Sequence, residues 1–199
     1  MNSHDAFVRA RLAQAADAIV ASAKLAGPTV AAARMILSSL RKGRVVFACG
    51  NGGSMEQAQH FVGELVGKFQ KHRLGLAAAA LGTNAGVMSA IANDYRYEDV
   101  FSRELAALGK KGDVLAAFST SGNSKNVIEA VTFAKKNGIK TIGFLGSGGA
   151  LQKIVDIALA VPSAVTPRVQ EAHLALLHII AELIEDEMIA YERSRKNNS

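Results

Sequence analysis

The sequence predicts a three-layer doubly wound α/β fold, in which helices cover both faces of a parallel sheet. Short apolar runs of the length of buried strands recur along the chain, and segments of helical period separate them. A glycine-rich loop follows one of these runs and a hydroxyl-rich loop follows another, as is typical of strand-to-helix turns in such folds. The 199 residues contain no linker, low-complexity segment or solenoid repeat, so we expect one domain over 1–199.

The N-terminal part is predicted to be helical. Residues 5–26 are rich in alanine and have apolar residues at helical spacing, and Gly27 is expected to end this helix. Pro28 suits the first turn of a second helix that follows. Because no strand separates the two helices, we expect a helical hairpin over about 1–42 that takes part in subunit contacts, beside an α/β core over about 43–199.

The rest of the chain alternates strands and helices. Strands are predicted over 44–49, 76–81, 113–118, 140–145 and 157–161, and helices over 54–67, 124–136 and 168–191. Strands that alternate with helices are joined by crossover connections, which make the sheet parallel. Ligands of such sheets bind at the carboxyl ends of the strands, near the N-termini of the following helices.

Composition and charge limit the classes of function. The formal net charge of +6 fits nucleic acid or acidic phosphorylated substrates, but the basic residues are scattered, so we expect no nucleic-acid partner. The single cysteine, Cys49, excludes an intrachain disulfide and indicates a reducing compartment. The N-terminus lacks the pattern of a secretory signal, and no apolar run reaches the ~18 residues of a membrane span. We therefore expect a cytoplasmic protein without a membrane partner.

The first loop, Cys49–Ser54, contains three glycines after a predicted strand. Glycines let a ligand approach the backbone closely, and the N-terminus of the following helix favours negative charge. A plain turn is one alternative. A dinucleotide-binding loop is another, but Met55 stands where the third glycine of that motif would be, and no acidic residue ends the next strand.

The second loop, Ser119–Ser124, carries four hydroxyls in six residues at the start of a predicted helix. Hydroxyl and backbone N–H groups together bind phosphate oxygens. The alternative is that Ser121 or Ser124 only caps the helix, which leaves the other hydroxyls unexplained. The chain lacks a Walker lysine pattern, so a nucleoside triphosphatase is not predicted. The loop therefore predicts a phosphate site.

A metal or acid–base site is predicted on two helices. His60 and Glu64 lie four residues apart on one helix face, where they could bind a metal ion, act as acid and base, or form only a surface ion pair. The C-terminal helix adds Gln170 and His178, together with His173, which we interpret as a core histidine whose ring nitrogens are hydrogen-bonded. Gln170 and His178 are separated by about 12 Å of helix rise. Both reach one ion only if the helix is loosened at its start or if different subunits contribute.

These motifs together resemble those of the sedoheptulose-7-phosphate (phosphoheptose) isomerase family, which has the SIS fold with a flavodoxin-like sheet. The matching segments run from about 44 to 188 and are Cys49–Ser54, Ala58–Phe61 with Glu64 and Leu65, Ala92–Tyr95, Val100–Arg103, Gly112–Leu115, Ser119–Ser124, Arg168–Glu171 and His178. Each segment is common by itself, whereas the ordered combination is specific.

The resemblance implies an isomerase that converts D-sedoheptulose 7-phosphate to D-glycero-D-manno-heptose 7-phosphate, the first step toward the heptose of bacterial surface glycans. It implies a homotetramer with active sites at subunit interfaces and one zinc ion per subunit, held by His60, Glu64, Gln170 and His178. Glu64 and His178 would be the catalytic acid–base residues. Substrate contacts are implied for Asn51, Gly52, Gly53, Ser54, Glu64, Asn93, Asp94, Ser119, Thr120, Ser121, Ser124 and Gln170.

The chain also departs from the pattern of the family. Gln57 stands where an aspartate is usual, Lys68 replaces a usual arginine, and Pro167 stands where alanine or aspartate is frequent. These departures leave the implied ligands intact but bear on the identity of the substrate. Two alternatives therefore stay open: a non-catalytic relative that binds a replication-initiator protein, and an isomerase of another phosphosugar.

Overall fold

The computed structural model describes residues 3–197 and contains one parallel sheet. Its strands are β1 (Val46–Gly50), β2 (Ala78–Ala80), β3 (Val114–Ser119), β4 (Lys140–Leu145) and β5 (Ile157–Ala160). They pair in the order β2-β1-β3-β4-β5, which confirms the predicted doubly wound fold. The helices are α1 (Ser3–Ala21), α2 (Ala26–Leu40), α3 (Gly53–Val66), α4 (Ala85–Asp94), α5 (Val100–Leu108), α6 (Lys125–Lys136), α7 (Leu151–Ile154) and α8 (Thr166–Asn197).

Both faces of the sheet are buried, and each face has its own core. Along β1, Val46 and Ala48 pack into the core that α2, α3 and α8 share, whereas Phe47 and Cys49 pack into the core formed with α5 and α6. Successive side chains of a strand point to opposite faces. A strand that is buried on both faces is therefore continuously apolar, which is why these runs could be recognised in the sequence.

The predicted N-terminal hairpin is wrong, because Gly27 does not end a helix. A 3₁₀ turn covers Ser22–Leu25, and α2 begins one residue before Gly27. The backbone stays helical at Ala21 (φ −63°, ψ −22°) and at Ala26 (φ −53°, ψ −48°), and Gly27 does not adopt the positive φ of a helix C-cap. The chain therefore continues in one direction, and both α1 and α2 pack along α8. Pro28 lies in the first turn of α2, as predicted.

The N-terminal helices also correct the expectation about membrane-length segments. The stretch Ser3–Leu40 is long and apolar enough, by length and composition only, to cross a membrane. Core helices of soluble proteins meet the same criterion. Within this stretch, Ala32, Ala33 and Ile36 of α2 are buried in the main core, so the fold itself accounts for much of the apolar character of α2.

The other predicted elements agree with the structure in most of their bounds. The five strands, α3 and α6 match to within two residues at either end. The C-terminal helix α8 begins at Thr166 and continues to Asn197, beyond the predicted end at 191. No element was predicted between 82 and 112, where the structure has α4, a 3₁₀ turn at Tyr97–Asp99 and α5. The subunit-contact role of 1–42 stays a prediction.

Candidate active site

The two loops that were predicted to bind a phosphosugar lie side by side at the carboxyl edge of the sheet. β1 and β3 are neighbouring parallel strands, and Gly50 at the end of β1 pairs with Phe118 near the end of β3. The first loop turns sharply there. Gly52 has a φ of +53°, and a Cβ on Gly50 would lie 2.6 Å from the carbonyl oxygen of Ser54. These glycines are therefore required for the backbone to reach the N-terminus of α3.

The second loop presents hydroxyl and N–H groups at the N-terminus of α6. Ser124 stands at the N-cap position, but its side chain makes no cap hydrogen bond within the described residues, so the capping alternative fails for it. Its hydroxyl lies 3.1 Å from the hydroxyl of Ser119, and the hydroxyl of Ser121 accepts from the N–H of Asn123. In the described part of the chain, the N–H of Lys125 donates no hydrogen bond. These groups suit the oxygens of a phosphate.

Two residues that the sequence reasoning missed hold Asn51 between the loops. The side-chain amides of Asn51 and Asn126, at the start of α6, exchange two hydrogen bonds of 2.8 Å. The hydroxyl of Tyr97 lies 3.1 Å from Oδ1 of Asn51. Asn126 follows the serine-rich loop and Tyr97 follows the Asn93–Asp94 pair, but no local spacing rule connects either residue to Asn51.

Three of the predicted metal ligands, carried by α3 and α8, lie close together. The ligand atoms of His60, Glu64 and His178 all lie within 4.8 Å of one another. Nε2 of His60 is 3.0 Å from Oε1 of Glu64 and 3.0 Å from Nε2 of His178. Burial and the nearby His60 lower the pKa of His178, against the opposing effect of the Glu64 carboxylate. The lowered pKa favours the neutral imidazole, which has a lone pair for a metal ion or a proton.

This set of donor atoms fits a zinc ion. Imidazole nitrogens and carboxylate oxygens are common zinc ligands, and two nitrogens bound tetrahedrally to one ion lie about 3.3 Å apart. The two facing Nε2 atoms of His60 and His178 are 3.0 Å apart, close to that separation. A simple surface ion pair between His60 and Glu64 would not include a third ligand, so the metal or acid–base interpretation explains more of the geometry.

Gln170 lies away from this cluster in its own subunit. Nε2 of Gln170 lies against Gly53, where a Cβ added to the glycine would be only 2.7 Å from it. The side chain of Gln57 donates to the carbonyl oxygen of Gln170, so the residue that replaces the usual aspartate connects α3 to α8. Because α8 begins at Thr166, Gln170 is inside the helix, and the first of the two alternatives, a loosened helix start, does not hold there.

Other predicted substrate residues are distributed around the loops. Asn93 and Asp94 are exposed at the end of α4, where Asn93 donates to Asp94 at 2.9 Å. Among residues 3–197, no hydrogen bond joins this pair to either loop. Ser54, the last residue of the first loop, is buried, and the carbonyl oxygen of Thr120 accepts from the N–H of Gly146. Their roles toward a substrate stay predictions.

A buried ion pair, which the sequence reasoning also missed, holds the segment that follows α3. The side chains of Arg73 and Glu185 are buried, with Nε of Arg73 3.4 Å from Oε1 of Glu185. The Glu185 carboxylate accepts from the backbone N–H groups of 69–71 at 2.9, 2.8 and 2.7 Å. The Arg73 guanidinium donates to the backbone oxygen of Glu64 at 2.6 Å. The pair therefore supports α3 where it carries Glu64.

Known proteins resemble this chain in both sequence and fold. The SIS domain model matches residues 12–146. The phosphoheptose isomerase of Geobacter sulfurreducens is 47% identical over 163 residues, covering 81% of this chain and 86% of the relative. That of Rhodospirillum rubrum is 42% identical over 180 residues, covering 90% and 96%. The structure of the phosphoheptose isomerase from Neisseria gonorrhoeae matches with a TM-score of 0.88 at 40% identity, over 92% of this chain and 100% of that chain.

These likenesses agree with the geometry of the site. The same chain that matches the family in sequence places a glycine loop and a serine-rich loop on adjacent strands. It also brings together three of the four residues for which the resemblance implied a role as metal ligands. The expected resemblance is thereby confirmed, and the chain belongs to the SIS domain family and, within it, to the phosphoheptose isomerases.

Proposed function

We propose that the protein is a ketose–aldose isomerase that converts D-sedoheptulose 7-phosphate to D-glycero-D-manno-heptose 7-phosphate. The observation that carries this proposal is the convergence of His60, Glu64 and His178 within 4.8 Å. These residues lie on α8 and on α3, the helix that begins at the first of the two phosphate-type loops. A carboxylate and a neutral imidazole are the groups that an isomerisation by proton transfer requires.

The chemistry moves one proton between two carbons and another between two oxygens. The Glu64 carboxylate removes a proton from C1 of the ketose, which gives an enediol, and then returns the proton to C2. His178 donates a proton to O2 and takes the hydroxyl proton from O1. Both side chains end in their starting protonation state, and the aldose has the same atoms as the ketose.

We also propose one zinc ion per subunit at this cluster. His60, Glu64 and His178 of one subunit would hold it, since their donor atoms already face one another. A bound zinc ion would polarise the carbonyl group of the substrate. A lone pair that binds the ion is not available to a proton. The second carboxylate oxygen of Glu64 and Nδ1 of His178 are then the atoms left for proton transfer.

A homotetramer is proposed on the basis of apolar surface on α1, α2 and α8. The exposed large apolar side chains of these helices are Phe7, Val8, Leu12, Ile19, Val20, Val30, Leu174, Ile179 and Leu183. A groove of about 430 Å³ between the N-terminal helices and α8 is lined mainly by apolar residues. Contiguous apolar surface of this kind is typical of protein–protein interfaces. The cytoplasmic location stays a prediction.

The first test is an isomerase assay with zinc-loaded protein and sedoheptulose 7-phosphate, in which NMR follows the aldose product. We expect turnover that falls at least roughly a hundredfold in His178→Ala and in Glu64→Gln, because each variant removes a proton-transfer group. His72→Ala is the matched control, since His72 is exposed and lies outside the cluster.

Absence of product from zinc-loaded, tetrameric protein would contradict the proposed substrate. Turnover of a different phosphosugar would then support the second alternative. Tight binding of a replication-initiator protein without turnover of any phosphosugar would support the non-catalytic alternative.

A further inference from the structure

We propose that Asn126 and Tyr97 are positioning residues that fix Asn51 as a hydrogen-bond donor to the phosphosugar. The identity of that ligand rests on the proposed function, whereas the orientation of Asn51 rests on geometry. The side chain of Asn126 is buried at the start of α6, so it acts through Asn51 and not by direct contact with a ligand. Asn51 itself is partly exposed in the first loop.

One backbone group fixes the orientation of both amides. The N–H of Val127 lies 3.0 Å from Oδ1 of Asn126. A backbone N–H can only donate, so that atom must be the carbonyl oxygen and Nδ2 of Asn126 must face Asn51. Nδ2 of Asn126 then donates to Oδ1 of Asn51, and Nδ2 of Asn51 donates back to Oδ1 of Asn126. Flipping either amide would break at least one of the three bonds.

Tyr97 completes the set of bonds around Asn51. Its hydroxyl is 3.1 Å from Oδ1 of Asn51, and because that atom is an acceptor, Tyr97 must be the donor. A carbonyl oxygen has two lone pairs, and Asn126 and Tyr97 occupy both. The second hydrogen of Asn51 Nδ2 meets no acceptor among the described residues. Asn51 can therefore only donate to a ligand, and the matching ligand atom is an oxygen acceptor of the phosphosugar.

Steady-state kinetics of Tyr97→Phe, Asn126→Ala and Asn51→Ala test this inference. We expect KM to rise about threefold in Tyr97→Phe and about tenfold in Asn126→Ala, with kcat nearly unchanged, because a bond to a group that does not react stabilises ground and transition states alike. In the Asn51→Ala background, neither further substitution should change KM again. A residue that only supports the fold would not show this dependence on Asn51.

Tyr95→Phe is the matched control. Tyr95 lies two residues before Tyr97, is similarly exposed, and stacks under the Arg103 guanidinium at 3.6 Å, a contact that does not use its hydroxyl. The KM of Tyr95→Phe should equal that of the wild type. The inference is overturned if Tyr97→Phe leaves KM unchanged. It is also overturned if the effects of Tyr97→Phe and Asn126→Ala on KM add to that of Asn51→Ala. Tyr97→Phe removes only a hydroxyl at an exposed position, so it remains informative if Asn126→Ala fails to fold.

A second measurement separates this inference from the proposed function. If the wild type does not convert sedoheptulose 7-phosphate, the proposed function fails, and the side-chain amide signals of Asn51 in ¹H–¹⁵N NMR spectra decide the inference. These signals are identified by their loss in Asn51→Ala. We expect one Nδ2 proton to exchange with water roughly tenfold faster in Asn126→Ala than in the wild type, because its acceptor has been removed. Equal exchange rates in the two proteins would overturn the inference.

Discussion

At the scale of single residues, His173 shows how the core controls ionisation. Its Nε2 lies 3.1 Å from the carbonyl oxygen of Leu145, and its buried Nδ1 has no hydrogen-bond partner among the described residues. The rings of Phe118 and Phe144 stack at 4.2 Å and meet the imidazole edge-on. Burial lowers the pKa of His173 to about 4, against the opposing effect of the Leu145 carbonyl. His173 is thus a neutral core residue, as the sequence predicted, but only one of its two ring nitrogens has a hydrogen-bond partner among the described residues.

This pKa predicts that acid destabilises the fold through His173. The ordinary pKa of histidine is 6.5, so between pH 6.5 and about 4 the unfolded state binds more protons than the folded state. The free energy of unfolding therefore decreases as the pH is lowered through this range. At pH 5 the loss from this residue is about 2 kcal/mol relative to pH 7.5. His173→Gln keeps an N–H donor but does not titrate. We expect its loss of stability between pH 7.5 and pH 5 to be about 2 kcal/mol smaller than that of the wild type. Urea unfolding at both pH values measures it.

His72→Gln is the control for this pH dependence, because it removes an exposed histidine and leaves the core intact. It should lose as much stability as the wild type between pH 7.5 and pH 5. Equal losses in His173→Gln and the wild type would contradict the assignment of this acid sensitivity to the buried imidazole.

At the scale of elements, the buried Arg73–Glu185 pair joins the segment that follows α3 to α8. Burial raises the pKa of Glu185, but the N–H groups of 69–71 and the Arg73 guanidinium outweigh it and hold that pKa below its ordinary value. The same segment places the ring of Phe69 5.4 Å from the ring of His178. The pair therefore stabilises a carboxylate and a cation in the core and also orders one wall of the candidate metal site.

Glu185→Gln tests the contribution of this pair to stability. The substitution leaves the buried Arg73 charge without its partner and replaces a carboxylate oxygen by an amide group that cannot accept from the backbone. We expect a loss of about 3 kcal/mol in the free energy of unfolding, measured by urea titration at pH 7.5. Asp186→Asn is the matched control, because Asp186 forms an exposed ion pair with Lys71 and should cost much less. Equal losses in the two variants would contradict the prediction.

Individual strands and helices show what the sequence could and could not predict. Strand β4 was predicted with its observed bounds, since an apolar run is enclosed there by Gly138 and Gly146. Helix α4 has no buried residue, so the core imposes no apolar face on its sequence. Helix α5 is amphipathic, with Val100, Phe101 and Leu105 buried, but its nine residues repeat that pattern over only about two turns. Gly27 was misread as a cap because packing of α2 on α8 and on the sheet, not local preference, decides the conformation there.

The candidate site also has parts that the sequence predicts and parts that it does not. The phosphate-type loops are local in sequence, so their glycines and hydroxyls could be recognised directly. His60 and His178 are 118 residues apart; the sequence offered both as candidates, but only the family resemblance assigned them to one zinc ion before the fold was known. The contacts of Asn126 and Glu185 also join distant segments, and no local pattern encodes them.

At the scale of the whole molecule, α3 and α8 run parallel and keep their contacts in register. Gln170 lies at Gly53, His178 meets His60, and further along α8 Glu185 binds the segment that follows α3. Gln170 is therefore about 12 Å of helix rise from His178 in the same subunit. Since α8 is regular at Gln170, the remaining way for Gln170 to join the cluster is from a neighbouring subunit.

Within the described part of the chain, three buried polar atoms near the start of α8 lack hydrogen-bond partners. Among residues 3–197, Nε of Arg168, Oε2 of Glu171 and Oε1 of Gln57 are buried without a hydrogen-bond partner. Buried polar groups in folded proteins are nearly always paired. These atoms are already enclosed by their own subunit, so side-chain rotation or a buried water, and not a second subunit, would supply their partners.

Mixing two inactive variants tests whether Gln170 acts across subunits. Gln170→Ala and His178→Ala should each have little isomerase activity as homotetramers. If one subunit supplies Gln170 and another supplies His178, tetramers reassembled from an equal mixture contain intact sites, and random assembly makes these about a quarter of all sites. We therefore expect activity of about a quarter of the wild-type value after reassembly, and none from the variants reassembled separately. If instead both residues serve one site from the same subunit, every site in the mixture lacks one of them and no activity returns, which would place Gln170 outside the metal cluster of its neighbours.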